Sequence, residues 1–403
     1  MTAPAWEVSA PGVIRYWGSH FKSSRQAEWW LNLLAPLLAS GWRCCLVLER
    51  LPEDRSWTAA LESAGVELVC LPRPRKQIDG ECVRAVRELC RRFRADVFHC
   101  ENIHTSPMIG AWRAGVPVRL WQKHSMFVHY EECRQPSLKE RLALSTRLTS
   151  LLATKVICVS ESVAEEAVCF GAARAKIAVR NNPRPARSAD RGPDRTVARA
   201  SFGFSDADYV IVAVGHTVPV KGWDVLLKAF GEVARAVLSA RLLLAGSHTA
   251  PVEAACHQQL LALCAEQQVR DRVTFTGHLP DVRPVLRAAD VFVLPSRSEG
   301  NSYSLLEALD AGLPCVATTV GAAPQMIKDG VNGHLVPRLD AARLAKALIH
   351  LGDTSRRSKF AAAVTVPSSV PTFEEYARQL RRDYERWLGR PASAARPVAS
   401  SAA

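Results

Sequence analysis

Two glutamates that could bind a polar ligand lie in the segment PSRSEGNSYSLLEALDAG, residues 295–312. Glu299 stands in a polar loop after an apolar run, and Glu307 stands in a helix predicted to begin at Asn301 or Ser302, both good N-cap residues. The unpaired N–H groups at the start of such a helix favour an anion. A diphosphate would fit there, with Glu307 near ribose hydroxyls and Glu299 near a sugar. Taken alone, Glu299 could equally be a solvated loop carboxylate, and Glu307 could equally lie on an exposed helix face.

A basic side chain stands between a strand-like run and a helix in the segment VGHTVPVKGWDVLLKAF, residues 214–230. Gly215 would permit a close approach of the backbone at the strand end, and His216 follows it. Lys221 precedes the helix, where its ammonium group could offset the charge of a phosphate. A solvated loop lysine would look the same, and the segment lacks the G-x-x-x-x-G-K-[ST] pattern of a P-loop.

Histidines follow strand-like runs in the first half of the chain. His124, in the segment LWQKHSM, would face a cleft together with Lys123 if ligands bind at the carboxyl ends of the strands. Its imidazole could then hydrogen-bond a donor sugar or an acceptor. His99 and His104, in the segment FHCENIH, give a similar signal. A histidine that only caps a strand end is the alternative for all three.

The elements that must position these side chains alternate along the chain as strand-like and helix-like segments. The strand-like runs are almost continuously apolar, which indicates parallel sheets covered on both faces. The alternation is interrupted over residues 181–195, which are rich in Pro, Arg and Asp, and it resumes at Tyr209. The pattern predicts an α/β protein in which two doubly wound, Rossmann-like domains face each other across a cleft.

The length of 403 residues also suits two domains. The predicted division is an N-terminal domain over 1–184 and a linker over 185–200, followed by a C-terminal domain over 201–370. An amphipathic helix over 371–388 is expected to cross back onto the first domain. The Ala-, Ser- and Pro-rich tail over 389–403 is expected to be disordered.

The formal net charge of +13 admits three kinds of partner: nucleic acid, an anionic membrane surface or a phosphorylated substrate. The sequence contains no zinc finger, no RNA-binding aromatic motif and no basic heptad region, so we predict no nucleic-acid partner. A peripheral contact with an anionic membrane remains compatible with the charge.

The chain has twelve cysteines, and we predict free thiols in a reducing compartment. Half of them lie in strand-like apolar runs, where a thiol packs as a small hydrophobic group: Cys44, Cys45, Cys70, Cys100, Cys158 and Cys315. No C-x-x-C or other metal-type spacing occurs, so no metal site is predicted. The chain lacks a secretory-signal pattern and a long uncharged apolar run. The expected location is the cytoplasm, including the inner face of the membrane.

Six segments occur in an order that is more specific than any one of them: ADVFHCEN, KVICVSESVAEE, KIAVRNNP, VAVGHTVPVKGWDVLLKAF, FTGHLPDVRPVLRAADVFVLPSRSEGNSYSLLEALDAGLPCVATTVG and IKDGVNGHLVP. With them the chain resembles the retaining, GT-B-fold glycosyltransferases of group 1, which include glycogen-synthase-like and phosphatidylinositol mannosyltransferase-like enzymes. The resemblance is strong over residues 205–350 and looser over 10–185.

The resemblance implies a role for each candidate side chain. Glu299 and Glu307 match the E-x7-E pair of the family, which is expected at the donor sugar and the nucleoside ribose. His124 matches the histidine of the first domain near the donor sugar, and with Glu299 it is the implied catalytic pair. The implied donor-binding residues are Gly215, His216, Lys221, Asn301, Ser302, Tyr303, Ser304 and Glu307.

The chain departs from the family pattern at the donor phosphates. Arginine usually follows the glycine, whereas here His216 does, and a histidine lacks the fixed bidentate charge of a guanidinium. Phosphate binding could then be shared with another arginine such as Arg297. Gln325 also stands where glutamate is frequent. These departures leave the identity of the donor open.

The resemblance implies a hexosyltransferase-type enzyme that moves a sugar from a nucleoside diphosphate sugar to an alcohol, with retention and without a metal or other cofactor. The acceptor would be a glycan, a glycolipid or a small alcohol, and assembly of cell-surface polysaccharide or glycolipid is the first expectation. Glycosylation of a soluble metabolite and sugar-nucleotide epimerisation on the same fold are the alternatives. A non-catalytic scaffold would be expected to have lost Glu299, Glu307 or Lys221, and all three are present.

Overall fold

The computed structural model describes residues 10–19, 24–101, 104–126, 144–184 and 193–390. Within these ranges the chain forms two parallel sheets, each covered by helices on both faces. The predicted fold class, α/β with two Rossmann-like units, is therefore confirmed.

The first sheet has seven strands among the described residues, in the order β3-β2-β1-β4-β5-β6-β7. The strands are β1 (Gly12–Tyr16), β2 (Arg43–Leu48), β3 (Glu67–Cys70), β4 (Val97–Cys100), β5 (Val118–Lys123), β6 (Lys155–Cys158) and β7 (Ile177–Val179). The helices between them are α1 (Ser24–Ala39), α2 (Ser56–Ser63), α3 (Gly80–Phe93), α4 (Ser106–Arg113), α5 (Leu144–Leu152) and α6 (Glu161–Cys169). The strand order reverses between β1 and β4, and such a switch point places the ligand site at the carboxyl edge of a sheet.

The second sheet has six strands, in the order β10-β9-β8-β11-β12-β13. The strands are β8 (Tyr209–Val214), β9 (Ala240–Ala245), β10 (Val273–Gly277), β11 (Val291–Leu294), β12 (Cys315–Thr318) and β13 (Gly333–Val336). The helices of this half are α7 (Arg195–Ser201), α8 (Trp223–Ala236), α9 (Pro251–Glu266), α10 (Arg283–Ala288), α11 (Tyr303–Asp310), α12 (Ala323–Met326), α13 (Ala341–His350) and α14 (Thr354–Ala362). The switch point here lies between β8 and β11, which carry the two segments singled out in the sequence.

The last described helix, α15 (Phe373–Trp387), belongs to the core of the first sheet. Thr372 caps its first turn, and Glu375 completes a capping box. Tyr376, Leu380 and Tyr384 are buried in the hydrophobic cluster that also contains residues of α1. The chain thus returns to the first sheet after completing the second.

Helix α7 lies inside the stretch expected to be a linker. Asp290, ahead of β11, accepts hydrogen bonds of 2.7 Å each from Arg195 and Arg199, so this helix is held to the second sheet. Residues 185–192 of the predicted linker and 391–403 of the predicted tail lie outside the described residues. The boundaries of the domains therefore stay predictions.

The eleven described cysteines are all free. The expectation that Cys70 packs within the core is wrong, because β3 is an edge strand and the side chain of Cys70 is exposed. No helix of the described residues is long and apolar enough to cross a bilayer.

Candidate functional site

The carboxyl edges of the two sheets face each other and touch. Gly300, in the loop after β11, lies so close to the first sheet that an added Cβ would stand 1.9 Å from the carbonyl oxygen of His124. The side-chain amide of Asn301 donates to the carbonyl of Val159 at 3.1 Å. The Ser162 hydroxyl donates to the carbonyl of Gly321 at 3.0 Å. The two predicted units thus meet at these edges, and the loop that carries Glu299 forms part of the contact.

Lys221 and Glu299, which are 78 positions apart in sequence, form an ion pair at the carboxyl edge of the second sheet. The ammonium Nζ of Lys221 donates to Oε1 of Glu299 at 2.7 Å, and the hydroxyl of Ser296 donates to the same oxygen at 2.8 Å. The side chains are 21% and 12% exposed, so both remain accessible to a ligand. The site therefore contains a cation and an anion that pair with each other.

The turn that holds Lys221 is locked against the loop after β11. Gly222 has a φ of +66°, and an added Cβ would lie 2.1 Å from the carbonyl oxygen of Pro295. Only glycine fits such a conformation without strain at so close a contact. The backbone of the two loops therefore fixes the distance between Lys221 and Glu299.

The start of helix α11 lies beside the ion pair. Ser302 is the N-cap residue, and its hydroxyl accepts from the backbone N–H of Leu305 at 3.4 Å. The hydroxyl of Ser304 lies 3.0 Å from that of Ser302, and Glu307 follows within the helix, half-buried. The positive end of the helix dipole is thus available near Lys221.

Tyr303, the first residue of α11, is held from the opposite sheet. The indole N–H of Trp29, in α1, donates to the phenol oxygen of Tyr303 at 3.1 Å. Burial raises the pKa of this phenol. Asn301 is also contacted across the cleft, since the side-chain amide of Asn182 donates to its carbonyl at 3.1 Å. These two residues couple the N-terminus of α11 to the first sheet.

Gly215 and His216 follow β8, next to the ion pair. An added Cβ on Gly215 would lie 3.3 Å from Cε of Lys221. The imidazole of His216 is exposed, and its Nδ1 lies 3.0 Å from Oε1 of Glu253 in α9. His216 therefore contacts a carboxylate in its own half of the chain.

Arg297, the suggested substitute for the missing arginine, is engaged elsewhere. Its guanidinium donates to both carboxylate oxygens of Asp224, at 2.8 and 2.6 Å. This bidentate pair ties the loop after β11 to the first turn of α8. Arg297 supports the site rather than pointing an unpaired charge at a phosphate.

His124 lies at the end of β5, opposite the loop that contains Glu299. Its side chain is 34% exposed, and its Nε2 lies 3.3 Å from Oε2 of Glu101. The expectation that Lys123 also faces the cleft is wrong, because Lys123 is buried and its ammonium group is paired with Glu166. Burial lowers the pKa of Lys123, although the carboxylate of Glu166 opposes this.

His99 is a core residue and not a cleft residue. It is fully buried in β4, and its Nδ1 lies 2.7 Å from the phenol oxygen of Tyr384 in α15. Burial, followed by the nearby guanidinium of Arg15, lowers the pKa of His99 far below its usual range. The side chain therefore stays neutral and has a structural role. His104 is half-buried, and burial lowers its pKa as well.

The structure also reveals a carboxylate that the sequence reasoning did not single out. Glu101 is ion-paired with Arg15, which lies in β1 and is fully buried. Burial raises the pKa of Glu101, but the guanidinium of Arg15 and the contact with His124 lower it more, to about 2. The position of Glu101 at the end of β4, in the segment FHCENIH, was the available signal.

A metal centre has no obvious place in the described ranges. Within them, no three His, Cys, Asp or Glu side chains cluster in a way that could hold a metal ion. The polar groups that the structure brings together in the cleft are instead Lys221, Glu299, His124 and the N-terminus of α11.

Comparison with known proteins agrees with this arrangement. A family model described as "Glycosyl transferases group 1" matches residues 208–353, and one described as "Glycosyl transferase 4-like domain" matches residues 27–183. Two facing Rossmann-like units with a ligand cleft between them define the GT-B class. Each half of the chain thus matches a model of a glycosyl transferase domain, and the fold is that of the GT-B class.

Curated relatives match part of the chain. A D-inositol 3-phosphate glycosyltransferase of Segniliparus rotundus is 36% identical over 148 residues, which is 36% of this chain and 32% of the relative. The protein of the same name from Mycobacterium tuberculosis (strain F11) is 33% identical over 164 residues, 40% of this chain and 33% of the relative. The chain thus matches about a third of the length of these relatives.

Solved structures share the fold over almost the whole chain. Anabaena Alr3699/HepE, crystallised with UDP-glucose, has a TM-score of 0.76 at 17% identity and covers 93% of this chain and 99% of its own. A glycosyltransferase of Rickettsia africae has a TM-score of 0.75 at 13% identity, covering 94% and 99%. At these identities the likeness shows the fold alone.

Proposed function

We propose that this chain transfers a sugar from a nucleoside diphosphate sugar to the hydroxyl group of an acceptor. The observation that carries the proposal is the ion pair between Lys221 and Glu299, beside the N-terminus of α11 and opposite His124. A diphosphate supplies the negative charge that both Lys221 and the helix N-terminus favour. Once the phosphate forms an ion pair with Lys221, the carboxylate of Glu299 is released and can accept hydrogen bonds from the donor sugar.

In the proposed reaction, negative charge develops near Lys221 and the N-terminus of α11. The sugar–phosphate bond breaks, and the negative charge on the departing diphosphate is stabilised by Lys221 and by the N–H groups at the start of α11. Glu307 would hold the ribose hydroxyls, and His124 would contact the sugar from the opposite sheet. We propose retention of the anomeric configuration, which the family resemblance supports. Nuclear magnetic resonance of the anomeric proton in the product tests it.

For the acceptor, we propose a glycan or glycolipid of the cell surface, reached at an anionic membrane face. The support is the net charge of +13, which favours anionic partners. A soluble, phosphorylated alcohol is the second candidate, because the curated relatives are named D-inositol 3-phosphate glycosyltransferases. Turnover assays with lipid-linked and soluble acceptors, alongside sedimentation with anionic vesicles, distinguish the two.

A panel of nucleoside diphosphate sugars tests the donor half. We expect one of them to raise the thermal unfolding temperature and to be turned over, while Lys221→Ala and Glu307→Ala lose both effects. Lys228→Ala and Glu266→Ala are matched controls, since both side chains are exposed on helices α8 and α9. Wild-type donor binding in Lys221→Ala or Glu307→Ala would refute the site. An isomeric nucleotide sugar formed without acceptor would identify an epimerase instead.

We also propose that transfer needs no metal ion. In this proposal Lys221 and the helix N-terminus supply the positive potential that a divalent cation would otherwise provide. Activity should survive extensive treatment with a chelator, and added magnesium or manganese should not raise it. Loss of turnover on chelation, with recovery on adding a metal back, would overturn this part of the proposal.

A further inference from the structure

Glu101 is a buried carboxylate that the proposed donor contacts do not use. It follows β4, and its side chain is 4% exposed. It forms an ion pair through Oε1 with Arg15, while Oε2 lies 3.3 Å from Nε2 of His124. The carboxylate therefore connects a buried cation to the imidazole that faces the cleft.

The charge of Glu101 is fixed by its surroundings. Arg15 lies within β1, fully buried, and donates to the phenol oxygen of Tyr384 at 2.9 Å. Its guanidinium also lies 5.2 Å from the ring centre of Trp30. A guanidinium does not lose its proton in a protein, so Glu101 next to it remains an ionised carboxylate. An ionised carboxylate can only accept hydrogen bonds.

The two nitrogens of the His124 ring are in different environments. Nε2 is buried and has no hydrogen-bond partner among the described residues, although Oε2 of Glu101 is 3.3 Å away. The ring as a whole is one-third exposed. Contacts of this kind are often misaligned without substrate and tighten when it binds. A buried N–H is costly unless it has an acceptor, and Glu101 is in reach to supply one.

We propose that Glu101 is a positioning residue for His124. When the imidazole carries a single proton, Glu101 keeps that proton on Nε2 and orients the ring, so that the unprotonated Nδ1 can accept a hydrogen bond from a hydroxyl group in the cleft. Arg15 and Tyr384 hold Glu101 in turn, which links α15 to the site. The consequence for turnover rests on the proposed function, whereas the position of the proton does not.

The tautomer is read from imidazole nitrogen shifts in proton–nitrogen correlation spectra of protein labelled at histidine. The spectrum of His124→Ala identifies the signals of His124. We expect the proton on Nε2 in the wild-type protein. In Glu101→Gln the amide oxygen would stay on Arg15 and the amide N–H groups would face His124, so the proton should move to Nδ1. A wild-type proton on Nδ1, or no difference between the two proteins, would overturn the proposal.

Asp290→Asn is the matched control. Asp290 is also a buried carboxylate that pairs with arginines, namely Arg195 and Arg199, but it lies at the amino end of β11. Asp290→Asn should lower stability and leave the His124 signals unchanged. If Glu101→Gln fails to fold, the wild-type spectrum alone still decides where the proton is.

A double-mutant cycle tests whether Glu101 acts through His124. With the reactive donor, Glu101→Gln should lower kcat by roughly 10- to 100-fold, the range seen for groups that orient a ligating histidine, with a smaller change in KM. In the His124→Ala background, Glu101→Gln should lower kcat little further. Independent, additive losses would show that Glu101 does not act through His124. If no nucleotide sugar reacts, the proposed function fails while the spectra still test the tautomer.

Discussion

Nζ of Lys221 and Oε1 of Glu299 lie 2.7 Å apart, so the cation proposed for the diphosphate is paired with the carboxylate proposed for the sugar. In the proposed function, a donor phosphate would compete with Glu299 for this cation. Binding of the phosphate would then release the carboxylate, so the proposal couples donor binding to the sugar site through one hydrogen bond.

Glu299→Gln and Lys221→Ala should consequently have different effects. Glu299→Gln removes the competitor and should leave the Kd for the nucleotide sugar unchanged or lower, while kcat falls by about 10²- to 10³-fold because a contact to the reacting sugar is lost. Lys221→Ala should raise Kd. Calorimetric titration and initial rates measure the two quantities. An equal loss of affinity in both variants would contradict this coupling.

Gly300 should tolerate no side chain, because its Cβ would lie 1.9 Å from the carbonyl oxygen of His124. Gly300→Ala must push the loop after β11 and the end of β5 apart. A displacement of about 1 Å at a reacting centre can cost about 10² in rate, so we expect a loss of this order in kcat. Small-angle scattering should also show a more open molecule.

Gly80→Ala is the control for Gly300→Ala. Gly80 begins α3, and an added Cβ there would meet nothing within 4 Å. The Gly80→Ala variant should have the same turnover and the same small-angle scattering profile as the wild-type protein. If Gly300→Ala is equally active, the two edges do not need to approach this closely for transfer.

The sequence was sufficient for the sheets and for the start of α11. Apolar runs bounded by polar loops define strands by local pattern, and Ser302 is recognisable as an N-cap residue because capping acts over three positions. The contact between Lys221 and Glu299 spans 78 positions and depends on how two loops meet. The motifs that contain Lys221 and Glu299 predicted that both residues lie at the carboxyl edge of the second sheet, but they did not predict the hydrogen bond between them.

The buried network around Arg15 was beyond sequence reasoning. A charged side chain inside an apolar strand can be buried only if partners compensate it, and here they are Glu101 and Tyr384, 86 and 369 positions away. Lys123 was misplaced for the same reason, since its partner Glu166 is 43 positions away. Local pattern shows which residues form a strand, whereas the pairing of buried charges is decided by tertiary packing.

His99 should make stability depend on pH. Burial and the charge of Arg15 lower its pKa in the folded protein, while the unfolded chain takes up a proton below pH about 6.5. The unfolded state then binds more protons, so the free energy of unfolding should fall by about 1.4 kcal/mol per pH unit below pH about 6.5. Urea unfolding above and below this pH measures the slope.

His99→Asn should flatten that slope. A second decline is expected at lower pH from Glu101. Its pKa falls from 4.5 to about 2 on folding, so its contribution is present above pH 4.5 and is lost as the pH drops towards 2. The same slope in His99→Asn and the wild-type protein would show that this histidine does not control the first decline.

Tyr384 should contribute more to stability than its neighbour Tyr376, although both phenols of α15 are buried. The hydroxyl of Tyr384 accepts from Arg15 at 2.9 Å and lies 2.7 Å from Nδ1 of His99, whereas that of Tyr376 has a single bond of 3.3 Å from Gln122. Tyr384→Phe keeps the ring but removes one hydrogen-bond partner from each of Arg15 and His99. We expect a loss of about 1–3 kcal/mol, against about 0.5–1.5 kcal/mol for Tyr376→Phe. Denaturant unfolding measures both, and equal losses would mean that the Arg15 network does not anchor the final helix.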